Sequence, residues 1–291
     1  MRAALLPERS VIRVSGEDAG RFLNNLVTSE VGDLAPGAAR FAALLTPQGK
    51  ILFDFFVVAC APEDGGGYVI DAPRVLADTL AERLKFYKLR AKIEIEPRPD
   101  LAVAVVLDGK PAEEVGLAYA DPRHPGLGTR VILPAADLET ALADFDRVDA
   151  GRWQAQRIAL GVPEGGKDFV YGDTFPHEAD MDALHGVDFA KGCFVGQEVV
   201  SRMEHRSGPR KRVVPVAYEE AAPDEGVAIE AGGQNVGFMG SSAGGRGLAM
   251  LRLDRVEEAL KAGGKIEGGG IALTLVKPDW AEFVFPGDGA S

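Results

Sequence analysis

The chain has 291 residues, with 44 acidic and 32 basic side chains and a formal net charge of −12 at pH 7. This length is sufficient for two or three domains, and the content of 46% hydrophobic and 26% charged residues is typical of a soluble globular protein. The acidic balance argues against a general nucleic-acid binder, whose surface is basic. Because no apolar run reaches the roughly 20 residues of a membrane span, we expect no membrane association.

The first residues and the cysteine count bear on the compartment and on metal binding. The start "MRAALLPERS" has no apolar segment long enough for a signal peptide, which predicts a cytoplasmic protein. Cys60 and Cys193 alone cannot form a disulfide framework. They are also too few for an iron–sulfur cluster held by this chain alone, which normally needs about four cysteines. The four histidines show no familiar ligand spacing, so we assign no metal ligands.

Helices and strands alternate along the first hundred residues. Apolar positions at helical spacing predict a helix in "SGEDAGRFLNNLV", where Ser15 and Asp18 have capping-box spacing. The apolar run "ILFDFFVVA" predicts a buried central strand, and "GGYVIDA" predicts a strand paired with it. A second helix is predicted to begin at Pro73, and "AKIEIEP" is an alternating strand. The residues expected on the inward face of that helix are Val75, Leu76, Thr79, Leu80 and Leu84.

The remainder of the chain predicts a change from mixed to all-β structure. "LAVAVVLD" and "TRVILPA" are strands, and "DLETALADFDRV" is a helix capped by Asp137. "GRWQAQRIALGVP" predicts a helix that ends at Gly161. From about residue 212, short strands separated by glycines predict a small β-barrel.

Asp54 is the one charged residue of the apolar run "ILFDFFVVA". Burying a carboxylate is costly unless it is paired or hydrogen-bonded. A buried Asp that fixes a neighbouring turn is one interpretation. The other is a carboxylate on a ligand-facing strand, which would bind a protonated amine or a ring nitrogen.

Cys193 precedes "GQEVVSRMEH", which predicts a helix that opens near Gly196. The thiol would then lie before a helix N-terminus and beside Lys191, where positive potential favours the thiolate. The alternative is a small buried residue that only packs, as free cysteines commonly do. The residues alone therefore make Cys193 a candidate reactive or ligand-contacting thiol.

The segment "RMEHRSGPRKR", residues 202–212, is basic in an otherwise acidic chain. A solvated loop is the simplest interpretation of such a run. A local positive field could also bind a small anionic ligand.

The stretch "KGCFVGQEVVSR" resembles the signature of the YgfZ family, folate-binding proteins related to the T protein of the glycine cleavage system, an aminomethyltransferase. The resemblance covers nearly the whole chain and includes "FLNNLVTSEV", "QRIALGVPE" and "VGFMGSSAGGRGLAMLRLD". The cysteine of the motif is specific to YgfZ proteins, because the similar stretch of T proteins usually lacks it.

The resemblance implies an α+β fold in which three domains form a cloverleaf around a funnel that binds tetrahydrofolate or another reduced folate. Two interleaved α+β domains with antiparallel sheets would comprise residues 1–47 with 150–205, and residues 48–149. Residues 206–291 would form the C-terminal β-barrel. The implied function is support of iron–sulfur enzymes, with a tRNA methylthiotransferase among the clients. We expect a monomer with no direct contact to nucleic acid.

Several positions match the motifs of the family, and the resemblance implies a role for each. These positions are Asp54, Arg157, Glu178, Lys191, Cys193, Lys211 and Arg212. Asp54 would lie near the folate pterin, and the basic pair Lys211 and Arg212 would suit its glutamate tail. Cys193 and Asp54 are the implied catalytic residues. T proteins often carry two adjacent acids where this chain has Phe53 and Asp54, so aminomethyl transfer is in question.

Two rival functions remain open at this stage, and with them the question of enzyme activity. The first is a folate-dependent aminomethyltransferase or demethylase. The second is a non-catalytic adaptor that binds client proteins. Fold similarity does not choose among them, because function belongs to sites.

Overall fold

The computed structural model describes residues 1–112, 115–205, 209–219 and 221–287. The strands in these ranges are β1 (Arg2–Leu5), β2 (Arg9–Ser15), β3 (Ala39–Leu45), β4 (Ile51–Ala59), β5 (Tyr68–Pro73), β6 (Glu94–Pro97), β7 (Leu101–Val106), β8 (Leu117–Ala120), β9 (Thr129–Pro134), β10 (Asp146–Arg147), β11 (Lys211–Ala217), β12 (Ala228–Ala231), β13 (Gln234–Ala243), β14 (Arg246–Arg252), β15 (Ile266–Gly268) and β16 (Ile271–Leu275). The α-helices are α1 (Ala19–Asn24), α2 (Arg74–Lys88), α3 (Leu138–Ala141), α4 (Ala150–Ala159), α5 (Gln197–His205) and α6 (Leu253–Lys261). Within the described ranges, no helix has both the length and the apolar character needed to cross a membrane.

The chain divides into two compact units. The first unit comprises Met1–Pro47, Leu52–Trp153 and His185–Gln197. The second unit comprises Gln48–Ile51, Gln154–Leu184 and Glu198–Ser291. The domain boundaries expected from the sequence, at residues 47, 150 and 205, stay a prediction.

Two five-stranded sheets form the body of the first unit. Their strand orders are β10-β1-β7-β9-β8 and β3-β4-β5-β2-β6. The pairs β1–β7, β7–β9, β8–β9, β2–β5, β2–β6 and β4–β5 are antiparallel, and the two-residue strand β10 runs parallel to β1. Strand β4 is buried along its length and pairs with β5, which confirms both strand predictions.

The helices α1 and α2 pack with strands β2 to β6 in one apolar core. The predicted inward face of α2 is confirmed at Leu80 and Leu84, and Leu76 is partly buried, but the other two predicted positions are not buried. Its buried side chains are Ala77, Leu80, Ala81 and Leu84. Val75 is 89% exposed, and Thr79 is exposed as well. At 100° per residue, Val75 lies about 200° around the helix from Ala77 and so faces the opposite side. The buried face contains two alanines, Ala77 and Ala81. A prediction based on hydrophobicity ranks valine above alanine and so placed Val75 on this face.

Two predicted helix starts also differ from the structure. The Asp18 carboxylate accepts hydrogen bonds from the backbone N–H of Lys92 and from Arg21, both at 2.9 Å, and does not cap α1. Asp137 is the last residue of a 3₁₀ turn, Ala135–Asp137, and makes no side-chain cap, and α3 is only four residues long. Helix α4 ends as predicted, because Gly161 adopts the left-handed φ of +76° just beyond it.

A closed six-stranded barrel, in the order β11-β14-β13-β12-β15-β16, dominates the second unit. Close strand contact requires glycine at Gly237, where a Cβ atom would lie 1.8 Å from the carbonyl oxygen of Met250. The amphipathic helix α6, which buries Leu253 and Val256, was not predicted. The mixed α+β class, the antiparallel sheets and the C-terminal barrel are confirmed.

Candidate functional site

Cys193 is exposed on the segment that leads from residue 186 into α5. The neighbouring side chain of Phe194 is buried, and the N–H of Gln197 donates to the Phe194 carbonyl at 3.3 Å. Gly196, with φ of +81°, precedes α5, as the sequence predicted. The thiol therefore lies on the surface while its neighbour anchors the segment.

Lys191 fixes the same segment to the end of α1. Its ammonium donates to the carbonyl oxygens of Asn24 at 2.7 Å, Val27 at 2.7 Å and Ser29 at 2.9 Å. These are acceptors that a helix end and the following turn leave without intrahelical partners. Burial lowers the pKa of Lys191 to about 8, although Glu30 opposes the shift. The predicted effect of Lys191 on the Cys193 thiolate stays a prediction.

A cavity of about 630 Å³ borders the segment within the first unit. Its walls include Arg40, His185 and Phe189. The volume falls in the range of pockets that hold small molecules, roughly 300–1,000 Å³. An aromatic ring, a cation and carboxylates at the rim suit a ligand with both a planar and a charged part.

The two cysteines are expected to differ sharply in their rate of alkylation. Burial raises the pKa of the Cys60 thiol, and Arg13 lies 3.7 Å from its sulfur, whereas Cys193 is exposed. Iodoacetamide at neutral pH should therefore label Cys193 at least about tenfold faster than Cys60, since the exposed thiolate is the nucleophile. Peptide mass spectrometry over time would measure both rates. Equal rates would show that Cys193 is as protected as a packing residue.

Asp54 lies in the middle of β4 and is only 6% exposed. Because side chains alternate along a strand, it shares a face with Phe56, opposite to Phe53 in the helix-covered core. Burial lowers the pKa of Arg9, but Asp71 and Asp54 more than offset that effect. Asp54 is therefore a buried carboxylate within the electrostatic reach of an arginine, which fits the structural interpretation and leaves the folate role a prediction.

A buried charge cluster beside Asp54 was not predicted. Its members are Arg9, Asp71, Tyr119, Asp121, Arg123 and Arg130. Arg130 is the link, because it donates to Asp71 at 2.9 Å and to Asp121 at 3.0 Å. Its guanidinium also lies 4.4 Å from the centre of the Phe56 ring. The cluster thus joins β5 of one sheet to β8 and β9 of the other. The sequence signal that could have predicted this cluster is the single charged residue in each of the apolar runs "YVIDA" and "TRVILPA".

Arg157 is fully buried in the second unit and its donors are engaged within the protein. Its Nη1 donates to the Val162 carbonyl at 2.6 Å and to Asp168 at 2.7 Å. Its Nη2 donates to Ser241 Oγ at 2.9 Å, and Asp168 also accepts from Ser241. These bonds fasten the end of α4 to strand β13 of the barrel. A contact from Arg157 to folate stays a prediction.

Glu178 and Arg212 lie at the same turn of the second unit. Glu178 belongs to a short 3₁₀ helix, Pro176–Ala179, and accepts a hydrogen bond from the Phe175 N–H at 2.9 Å. Arg212 is buried and donates to Asp180 at 2.9 Å and to Asp182 at 2.6 Å. Most of the donors that would read a ligand carboxylate are therefore already satisfied by the protein's own carboxylates.

Lys211 lies on β11 next to Arg212, yet its surroundings are different. It lines a shallow cavity of about 460 Å³ together with Arg252 and Arg255. Neighbouring residues of a strand point to opposite faces, so the basic pair does not act as one unit. Arg206 of the basic segment lies outside the described residues.

The site residues predicted from the sequence are distributed over both units. Asp54, Lys191 and Cys193 belong to the first unit, where the last two share one segment. Arg157, Glu178, Lys211 and Arg212 belong to the second. Within it, Glu178 and Arg212 lie together, while Arg157 belongs to a separate cluster with Asp168.

Comparison with known proteins places these features in a family. Residues 210–283 match the family described as CAF17, C-terminal beta-barrel domain. The human "Iron-sulfur cluster assembly factor IBA57, mitochondrial" is 32% identical, over 94% of this chain and 84% of its own length. The IBA57 homolog of Pyricularia oryzae is 33% identical, over 86% of this chain and 71% of its own length.

A solved structure shows the same fold at low identity. The glycine cleavage system aminomethyltransferase T of Bartonella henselae matches with a TM-score of 0.72, at 16% identity, over 98% of this chain and 87% of that one. The predicted relation to the T-protein fold is confirmed.

The cytoplasmic location predicted from the sequence is wrong, because the relatives are named as mitochondrial proteins. The prediction rested on the composition of the first ten residues, which does not distinguish the cytosol from an organelle.

Proposed function

Because the chain belongs to the family of the iron–sulfur cluster assembly factor IBA57, we propose that it supports the assembly or repair of iron–sulfur enzymes. We further propose that it does so as a YgfZ-type protein that binds tetrahydrofolate or another reduced folate. Its clients would include a tRNA methylthiotransferase. The observation that carries the proposal is an exposed cysteine, Cys193, on a segment that Lys191 holds in place.

The proposed role of Cys193 is reversible thiol chemistry or transient coordination of iron during cluster maintenance. Thiolates are the usual protein ligands of iron–sulfur clusters. A single thiolate would not hold a cluster alone, so the client or a partner would supply the other ligands. An exposed thiol suits such sharing, because the partner's ligands must approach the same iron.

Genetic complementation tests the general role. Cells that lack this gene should lose activity of iron–sulfur enzymes, and tRNA methylthiolation should fall with it. Expression of the chain should restore both. An enzyme without a cluster, assayed in the same extracts, would serve as the control. Normal activity of iron–sulfur enzymes in the deletion strain would contradict the proposal.

The folate part of the proposal rests on the T-protein fold, and Asp54 is the residue that tests it. We expect Asp54→Asn to weaken the binding of tetrahydrofolate by about tenfold, since hydrogen bonds to charged groups contribute roughly 1.5–3 kcal/mol. Calorimetric titration of the full chain would measure the affinity. Glu63→Gln, an exposed change in the same unit, is the matched control.

Thermal unfolding of the same variants separates binding from folding. If Asp54→Asn lowers the unfolding temperature and leaves the folate affinity unchanged, Asp54 is a structural carboxylate. If the wild-type chain binds no reduced folate, the non-catalytic adaptor becomes the better description.

Folate-dependent aminomethyl transfer is the second candidate, favoured by the fold shared with an aminomethyltransferase. The pair Phe53 and Asp54 supplies one carboxylate where T proteins often have two, and Phe53 is turned into the core. Methylene transfer from an aminomethylated lipoyl protein to tetrahydrofolate would be the assay. Turnover that depends on Asp54 would favour this candidate.

A further inference from the structure

Three potential metal ligands converge in the second unit, beside the turn that contains Glu178 and that Arg212 contacts. The Nε2 atom of His177 lies 3.1 Å from a carboxylate oxygen of Glu204. One carboxylate oxygen of Asp182 lies within 4.8 Å of both atoms. His177 belongs to the short 3₁₀ helix, Asp182 to the turn after it, and Glu204 to α5. Two segments of the chain, residues 176–182 and α5, therefore deliver three donor atoms to the same place.

We propose that His177, Asp182 and Glu204 bind a divalent first-row transition-metal ion. One imidazole nitrogen and two carboxylate oxygens form a donor set that suits ions such as Zn²⁺, Mn²⁺ or Fe²⁺. With bonds of about 2.1 Å, neighbouring ligand atoms lie about 3 Å apart. The distance between His177 and Glu204 already has about this value, and the Asp182 oxygen lies within 4.8 Å of both atoms.

Carboxylates outnumber cations around this place, which favours a bound cation. Arg212 Nη1 lies 2.9 Å from Asp180 Oδ1 and 2.9 Å from Asp182 Oδ1. Asp180 is fully buried, and its second oxygen has no hydrogen-bond partner among the described residues. Asp180 and Asp182 therefore share one guanidinium, and Glu204 adds a third acidic side chain close to Asp182. Buried charges of one sign are expensive unless they are paired or coordinate a metal.

Arg212 also has a role in this arrangement. Ligating carboxylates are commonly held by hydrogen bonds from a second layer of residues, which fix their orientation. The two bonds from Arg212 to Asp182 would hold that carboxylate while its remaining lone pairs face the ion. The hydrogen bonds between Arg212 and Asp182 would therefore help to position a ligand of the proposed metal site.

The exposure of the three side chains provides a route for the ion. His177 is buried at 1%, Asp182 is half-buried, and the Glu204 side chain is 41% exposed. Glu204 therefore lies at the mouth of the site and His177 at its floor. An ion can enter from solvent by displacing the hydrogen bond between the two.

Titration with Co²⁺ tests the site on the full chain after treatment with a chelator. We expect one equivalent to bind and to give the weak visible bands of nitrogen and oxygen ligands. Binding at a thiol would instead give an intense near-ultraviolet band. Glu204→Gln and His177→Gln should each raise the dissociation constant by at least about tenfold, since changes even in the outer partners of a metal cost 10–100-fold. Co²⁺ should also raise the unfolding temperature of the wild-type chain and not of Glu204→Gln.

His185→Gln is the matched control, because His185 belongs to the first unit and is not one of the three donors. Glu204→Gln changes a partly exposed side chain, so its result stays informative even where His177→Gln fails to fold. Millimolar or weaker affinity of the wild-type chain would overturn the proposal. So would thiolate bands alone, or unchanged affinity of Glu204→Gln. The experiment reads the ion directly, so its outcome is independent of the proposed role in iron–sulfur assembly.

Discussion

Replacing Arg130 with methionine is expected to lower the free energy of unfolding by about 3–5 kcal/mol, the usual cost of removing one partner of a buried ion pair. The change leaves Asp71 and Asp121 buried without the guanidinium that joins them. It also removes one of the guanidinium groups that lie over the Phe56 ring. Denaturant unfolding at neutral pH would measure the loss. Arg83→Met, an exposed change on α2, should alter stability by less than about 0.5 kcal/mol.

The effect should depend on pH in a defined direction. Burial alone would raise the pKa of Asp121, but Arg123 and Arg130 lower it to about 2. An unfolded Asp titrates near 3.9, so this carboxylate stabilises the folded chain above about pH 4, and the stability is lost as the pH falls through about 2. The difference between wild type and Arg130→Met should therefore shrink at acidic pH. A difference that stays constant from pH 7 to pH 3 would indicate lost packing in place of lost charge pairing.

Cys193→Ser is expected to abolish most of the support for iron–sulfur enzymes without changing the stability of the chain. Serine keeps the size of the side chain and removes the thiolate, which is both the nucleophile and the metal ligand. The side chain is exposed, so no core contact is lost. We expect at least about a tenfold fall in client activity in the deletion strain, a loss on the scale seen when a metal ligand is perturbed.

Cys60→Ser is the matched control for that experiment. Its thiol is buried and lies 3.7 Å from an Arg13 nitrogen, so the change should cost some stability and leave client activity intact. Protein levels measured by immunoblot would separate stability from function. Full activity of the client enzymes with both Cys193→Ser and Cys193→Ala would show that the thiol is not required. The mechanism proposed for Cys193 would then be wrong.

The sequence predicted the elements whose apolar pattern is unambiguous. Strands β4 and β5 and the barrel follow from continuous or alternating apolar runs. The inward face of α2 followed only in part: Leu80 and Leu84 are buried as predicted, but Val75 is exposed while Ala77 packs, because burial depends on the shape of the facing sheet. The short strands β8 and β10 carry too few residues for a periodicity to show.

The sequence supplied candidate residues for the site, and their roles stay predictions. The sequence also singled out Cys193, which is exposed, whereas Cys60 is buried. It gave no sign that Arg157 and Arg212 bind carboxylates of the chain itself, since those partners lie 11 and 30–32 residues away. The partners in the charge cluster at Arg130 are still farther apart in sequence, since Asp71 precedes Arg130 by 59 residues. A charged residue within an apolar run indicates in the sequence that its burial must be compensated. Only the structure shows which residue of opposite charge compensates it.

The anchor made by Lys191 has a consequence for the order in which the protein folds. The carbonyls that Lys191 binds lie 162–167 residues earlier in the chain. At a synthesis rate of about 5–20 residues per second, roughly 8–30 s pass between the synthesis of the end of α1 and the synthesis of Lys191. During that interval the nascent first unit lacks its last segment and the cysteine has not yet been made. Cys193 is therefore synthesised only when Lys191 is available to complete the first unit. An incomplete nascent chain does not yet expose the Cys193 thiol to unwanted reactions.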